Sequence, residues 1–159
     1  MINLVIHEQF TVGKIYLVMQ EIQHLFVTPS LRISYDTTNQ WLYNQWLGVH
    51  DTESVRLSAE AIFSCLATYP CTKMLSDHSL LQGNWQPAIP SVVQHNFERL
   101  AAHGVRYVAW VHSFEYNDLM AMERVVRNMP EPLVGLFDEV ASAYDWLLHC
   151  PADLPRRKP

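Results

Sequence analysis

A chain of 159 residues that is 49% hydrophobic has the length of one domain and enough apolar side chains for one substantial core. Eleven Lys and Arg stand against 16 Asp and Glu, a formal charge of -5, and the basic residues are scattered except for Arg156, Arg157 and Lys158, so the sequence holds no basic stripe of the kind nucleic acids require. Cys65, Cys71 and Cys150 form no C-x-x-C pair and are too few for a disulfide scaffold, which points to reduced, mostly buried thiols.

The first 26 residues are apolar but are broken by His7, Glu8, Lys14, Glu21 and His24, and they lack a basic leader before an uninterrupted apolar stretch. Neither a signal peptide nor a membrane span is expected, and the expected compartment is the cytoplasm. Residues 1–27 read as an N-terminal extension. Met19 could itself be an initiator, which makes residues 1–18 either an added element or a translation artefact. If translated, Leu4, Ile6, Phe10, Ile15, Leu17 and Val18 are too apolar to be left bare, and they should dock on this domain or on a second copy.

Alternation over Leu31–Tyr35 predicts a half-buried strand, Asp36–Asn39 a turn, and Trp41–Leu47 a second strand, the pair forming a hairpin. Trp41 and Trp46 have opposite parity there, so they should point to opposite faces, with one exposed unless a helix or partner covers it. Asp51 is the N-cap of a helix with Val55, Ala59, Ile62, Leu66 and Tyr69 on one face, ending at Pro70. Lys73–Ser76 reads as a short strand and Asp77–Trp85 as a polar loop, in which Trp85 is a lid or an anchor. Ile89, Val93, Phe97 and Leu100 mark an amphipathic helix stopped by Gly104.

Val105–Val111 is an apolar strand suited to the sheet centre. Ser113 is placed to cap a helix carrying Leu119, Met122, Val126 and Met129, which Pro130 and Pro132 end. Leu133–Phe137 is the last strand, and Asp138 is the expected cap of a helix with Val140, Tyr144 and Leu147. Residues 28–150 therefore form one α/β domain, and 151–159 a proline-rich, basic, flexible tail. Alternating strands and helices after the hairpin imply a mixed sheet of about five strands, antiparallel first and then parallel with right-handed crossovers. Leu75, Val108, Trp110, Leu136, Ile62, Leu66, Phe97, Leu100, Met122 and Val126 should make one continuous core.

The strings KMLSDHSLLQGNW, GVRYVAWVHSFEYNDLMAMERVV and PLVGLFDEVASAYDWL are similar to bacterial SpoIIAA-like proteins. These are relatives of the STAS anti-sigma-factor-antagonist fold that are often grouped with CRAL-TRIO lipid-binding domains. The resemblance covers roughly Leu31 to Leu148 and implies a SpoIIAA-like fold and a regulatory module without catalytic activity that acts through a protein partner. Phosphorylated antagonists of this type carry a serine in an Asp-Ser-Ser-Gly motif at a helix start. The corresponding segment here is Ser76-Asp77-His78-Ser79-Leu80-Leu81, which lacks the glycine.

Parallel strands would bring Asp77, His78, Ser79, Trp85, His112, Ser113, Glu115 and Asp138 to one edge, where open α/β sheets form ligand crevices. The first seven of these are the candidate ligand or partner site. A serine, a histidine and an acid suit acyl transfer, but no G-x-S-x-G elbow or oxyanion loop accompanies them. His78 and His112 with Asp77 or Glu115 suit zinc or iron in donor type, but no H-x-H or H-E-x-x-H spacing supports them. Their structural role would be that of caps and solvated loop residues. No catalytic residue, metal or cofactor is assigned.

The leading expectation is a protein-binding regulatory module, with a protein partner or a homodimer. The alternatives are a carrier of a small apolar or lipid ligand, and a hydrolase or metal enzyme at the same edge. Two histidines beside carboxylates would make binding sensitive to pH between about 5 and 8.

Overall fold

The computed structural model describes residues 21–112 and 116–151. Residues 1–20, Ser113, Glu115 and the tail from 152 onward, with the expectations attached to them, lie outside the described residues.

Six strands form one sheet in sequential order: β1 (Ile22–Val27), β2 (Leu31–Asp36), β3 (Trp41–Val49), β4 (Lys73–Gln82), β5 (Tyr107–Val111) and β6 (Leu133–Phe137). The pairs β1–β2 and β2–β3 are antiparallel, and the pairs from β3 through β6 are parallel. The expected mixed sheet is thus present with one strand more, since the last six residues of the 1–27 segment pair along β2 as an edge strand. At the β2–β3 turn, the Asp36 carboxylate accepts from the Asn39 backbone N–H at 2.9 Å and from its side-chain amide at 2.7 Å, and Gln40 takes φ 59.

Helix α1 (Thr52–Thr68) starts where the sequence predicts. The Asp51 carboxylate accepts from Ser54 N at 2.8 Å, and Ser54 Oγ accepts from Asp51 N at 2.9 Å, a reciprocal capping box. A 3₁₀ turn (Gln86–Ala88) and a turn of π-helix (Ile89–Val93) lead into α2 (Gln94–Ala102). Gly104 closes α2 with φ +95, and a Cβ there meets no atom within 4 Å. Gly104→Ala is therefore expected to lower stability only by the left-handed backbone penalty, about 1 kcal/mol, or a melting temperature roughly 3 °C lower by calorimetry. Helix α3 spans Tyr116–Arg127 and α4 Val140–His149.

The expected Asp138 cap of α4 is not what forms. Glu139 holds the cap position in an extended conformation, and no side chain caps the helix. The Glu139 carboxylate instead accepts from Ser142 Oγ at 2.8 Å. At the other end, Lys73 Nζ donates to the carbonyls of Leu147 and Cys150, both at 2.7 Å, placing a cation on the negative end of the helix dipole.

Residues of α1, α2 and α3 pack on one face of the sheet with Ile33, Leu42, Met74, Val108, Trp110 and Val134. The other face carries Trp41, Leu75, Tyr107, Ala109 and Val111 under Ala143, Tyr144 and Leu147 of α4. The expected single core is therefore two cores divided by the sheet. Leu75 belongs to the second because strand parity sends it opposite to Met74 and Ser76. Trp41 and Trp46 do point to opposite faces, and both are buried, Trp41 edge-on to Tyr144 and Trp46 in the helix-covered core.

Candidate functional site

The segment expected to be a polar loop, Asp77–Trp85, is strand as far as Gln82. Its polar residues are accommodated by a bulge: Gln45 pairs with Asp77 but Leu47 pairs with Leu80, so β4 carries one residue more than β3 at His78–Ser79. Ser79 N donates to Asp77 Oδ1 at 3.0 Å, and Asp77 Oδ2 accepts from Tyr43 Oη at 3.1 Å, which itself accepts from Gln45 Nε2 at 2.9 Å. Side chains therefore supply partners that let these residues sit in a strand. Burial, with the adjacent Asp77 second, pushes the Tyr43 phenol well above its ordinary range.

Asp77 and His78 are neighbours in sequence, but they occupy opposite faces and do not converge on one ligand. Asp77 meets Tyr43 on the α4 face, while His78 lines the helix-covered face. His78 lies flat on Trp110, centroids 3.7 Å apart at 10°, with Trp46 stacked at 5.1 Å and Trp85 at 6.1 Å. Its Nδ1 faces the Ser76 carbonyl at 3.3 Å. Burial is the largest cause that pulls its pKa from 6.5 to about 3, backbone hydrogen bonds to Ser76 and Val111 acting against it. A buried, neutral imidazole replaces the exposed, titrating one that the sequence suggested.

Trp85 is an anchor: it is 3% exposed and packs into the same aromatic group. Ser79 is half-buried inside the strand, where the resembled antagonists would have a helix start. His112 follows β5 half-buried, its N–H donating to the Phe137 carbonyl at 2.9 Å. Among the described residues, no group of three or more His, Cys, Asp or Glu is placed to hold a metal ion, and no helix is long and apolar enough to cross a membrane.

Two features escaped the sequence reading. A pocket of about 50 Å³ lies between the sheet, α1 and α2, walled by Trp46, Phe63, His78, Trp85, Phe97 and Trp110. Its floor holds Asn44, fully buried, whose side-chain N and O both lack a hydrogen-bond partner, as does Trp110 Nε1. Asn44 was legible as an anomaly, since it shares inward parity with Leu42 and Trp46. The second feature is on the α4 face, where Val49 is 76% and Leu80 60% exposed at the C-terminal ends of β3 and β4, beside the half-buried Leu47 that pairs with Leu80.

No protein-family model and no curated protein matches the chain. Solved structures do. A protein of the DUF3478 family with a SpoIIAA-like fold, from Shewanella loihica PV-4, is 18% identical over 80% of this chain and 93% of its own, with a TM-score of 0.49. The anti-sigma factor antagonist SpoIIAA in its unphosphorylated form is 12% identical over 80% and 96%, TM-score 0.51. An anti-sigma factor antagonist from Mycobacterium paratuberculosis is 13% identical over 78% and 99%, TM-score 0.53. The fold is SpoIIAA-like, as the sequence resemblance implied.

Proposed function

We propose that this SpoIIAA-like domain is a regulatory module without catalytic activity that works by binding a protein partner at the sheet surface formed by the C-terminal ends of β3 and β4. The carrying observation is the apolar pair Val49 and Leu80, left in solvent on adjacent strands with Leu47 between them and the core. Single exposed apolar residues are ordinary, but two on one sheet surface beside a fixed polar network match the apolar centre and polar rim of a protein interface. The network is Gln45, Tyr43 and Asp77, joined by hydrogen bonds of 2.9 and 3.1 Å. The likeness in fold to anti-sigma factor antagonists supports the same reading.

Photo-crosslinking in the native host tests it. A benzophenone side chain introduced at Leu80 or Val49 is expected to give a discrete heteromeric adduct. The same group at Leu57, an equally exposed apolar position on α1, is expected to give none. The reading fails if Leu80 and Val49 label nothing, or label no more selectively than Leu57.

A further inference from the structure

We propose that the pocket between the sheet, α1 and α2 is a binding site for a small uncharged molecule bearing an amide or hydroxyl group, which hydrogen-bonds to Asn44 and to the indole N–H of Trp110. The site is independent of the β3–β4 surface and lies on the other face of the sheet.

The register gives the site its shape. Ile33, Asn44, Ser76, Trp110 and Leu136 are successive partners across five strands and form one row on the pocket face. The row before it starts at Tyr35 on β2, and its members on β3 to β6, Leu42, Met74, Val108 and Val134, are all apolar. Three adjacent polar side chains at the centre of a packed face are costly unless each is satisfied. Ser76 is satisfied, its Oγ accepting from Trp46 Nε1 at 3.1 Å. Asn44 and Trp110 on either side of it are not, which leaves two donor nitrogens and one acceptor oxygen at the wall of the pocket. A primary amide complements that set with its carbonyl and its N–H, and an alcohol with its oxygen and its proton.

The walls decide charge and size. No Lys, Arg, Asp or Glu lines the pocket, and the one titratable group there, His78, is held neutral by burial. An ion entering would lose its hydration without a counter-charge, so anions and cations are disfavoured. A volume of about 50 Å³ is well below the roughly 150 Å³ of an apolar cavity that takes up benzene, so the ligand must be smaller than a six-membered ring.

Acetamide and acetate, which share shape and differ in charge, are the probes. In ¹⁵N–¹H spectra of the full chain, acetamide is expected to shift the Trp110 indole and Asn44 side-chain resonances saturably, with a dissociation constant on the order of millimolar, as its few atoms allow. Acetate is expected to leave both in place. Asn44→Leu, close in volume, should weaken acetamide binding at least tenfold, and Trp110→Phe, which keeps a ring but removes the N–H, should weaken it severalfold. If one variant does not fold, the other carries the test. The proposal is overturned by an absent or unsaturable acetamide shift, by acetate shifting the same resonances equally, or by a folded variant that binds as tightly as the wild type.

Discussion

Gly83→Ala is expected to destabilise the domain by about 4 kcal/mol, a large part of the 5–15 kcal/mol that a domain usually has. Two costs add. Gly83 has φ +96, where an L-residue pays about 1–2 kcal/mol. The new methyl would also stand 2.4 Å from the carbonyl oxygen of His50 and 2.9 Å from its nitrogen, and backbone atoms cannot swing aside as a side-chain tip can. His50 is held in place besides: its N–H donates to the Gln82 carbonyl at 2.8 Å, its Nε2 donates to the Ser30 carbonyl at 3.1 Å, and its Nδ1 lies 3.2 Å from Ser54 Oγ. The melting temperature should fall by roughly 10 °C, against roughly 3 °C for Gly104→Ala. A Gly83→Ala protein melting within a few degrees of the wild type would show that this corner yields.

Acidification should weaken the fold through His78, and the sign follows from its depressed pKa. In the unfolded chain the imidazole titrates near 6.5, and in the folded chain near about 3. Between those values the unfolded state holds one proton more, so stability is full above about pH 6.5 and declines as pH falls toward 3. The slope approaches about 1.4 kcal/mol per pH unit, which makes roughly 2 kcal/mol between pH 7.5 and 5. The faces of Trp46, Trp85 and Trp110 would favour an imidazolium by about 1–2 kcal/mol through cation–π attraction, less than the cost of desolvating a fully buried charge, so the direction stands. Urea unfolding of wild type and His78→Phe at the two pH values isolates the effect, because all other groups titrate in both. Equal losses in the two proteins would remove His78 as the cause.

His78 also marks where the sequence is and is not legible. Helix α1, strand β6 and the stop at Gly104 followed from an Asp cap, an apolar run between breakers and a glycine, signals that act within a few residues. The hairpin and the opposite faces of Trp41 and Trp46 followed from period-two alternation. The second half of β4 is hidden in the sequence because Asp77, His78 and Ser79 have loop chemistry. The partners that keep them in a strand, Tyr43 and the stacked indoles, are brought by β3 and β5 from far along the chain. Among the described members of the candidate rim the reason is the same: once β4 continues, parity separates Asp77 from His78 and burial takes His78 and Trp85 out of solvent. The unpaired atoms of Asn44 and Trp110 are likewise visible only after the register aligns them on either side of Ser76.

The sequential strand order, with α1, α2 and α3 on one face and α4 on the other, has a bearing on biosynthesis. Each of the first three helices is made between the strands it will cover, so that face can close stepwise as the chain leaves the ribosome. The face bearing Trp41, Leu75, Tyr107, Ala109 and Val111 waits for Ala143, Tyr144 and Leu147, near the end of translation. A nascent chain stalled before residue 140 would therefore present a sheet with an open apolar side, a ready surface for chaperones and for aggregation. Lys73, made some seventy residues earlier, stands ready to receive the carbonyls of Leu147 and Cys150 when they arrive.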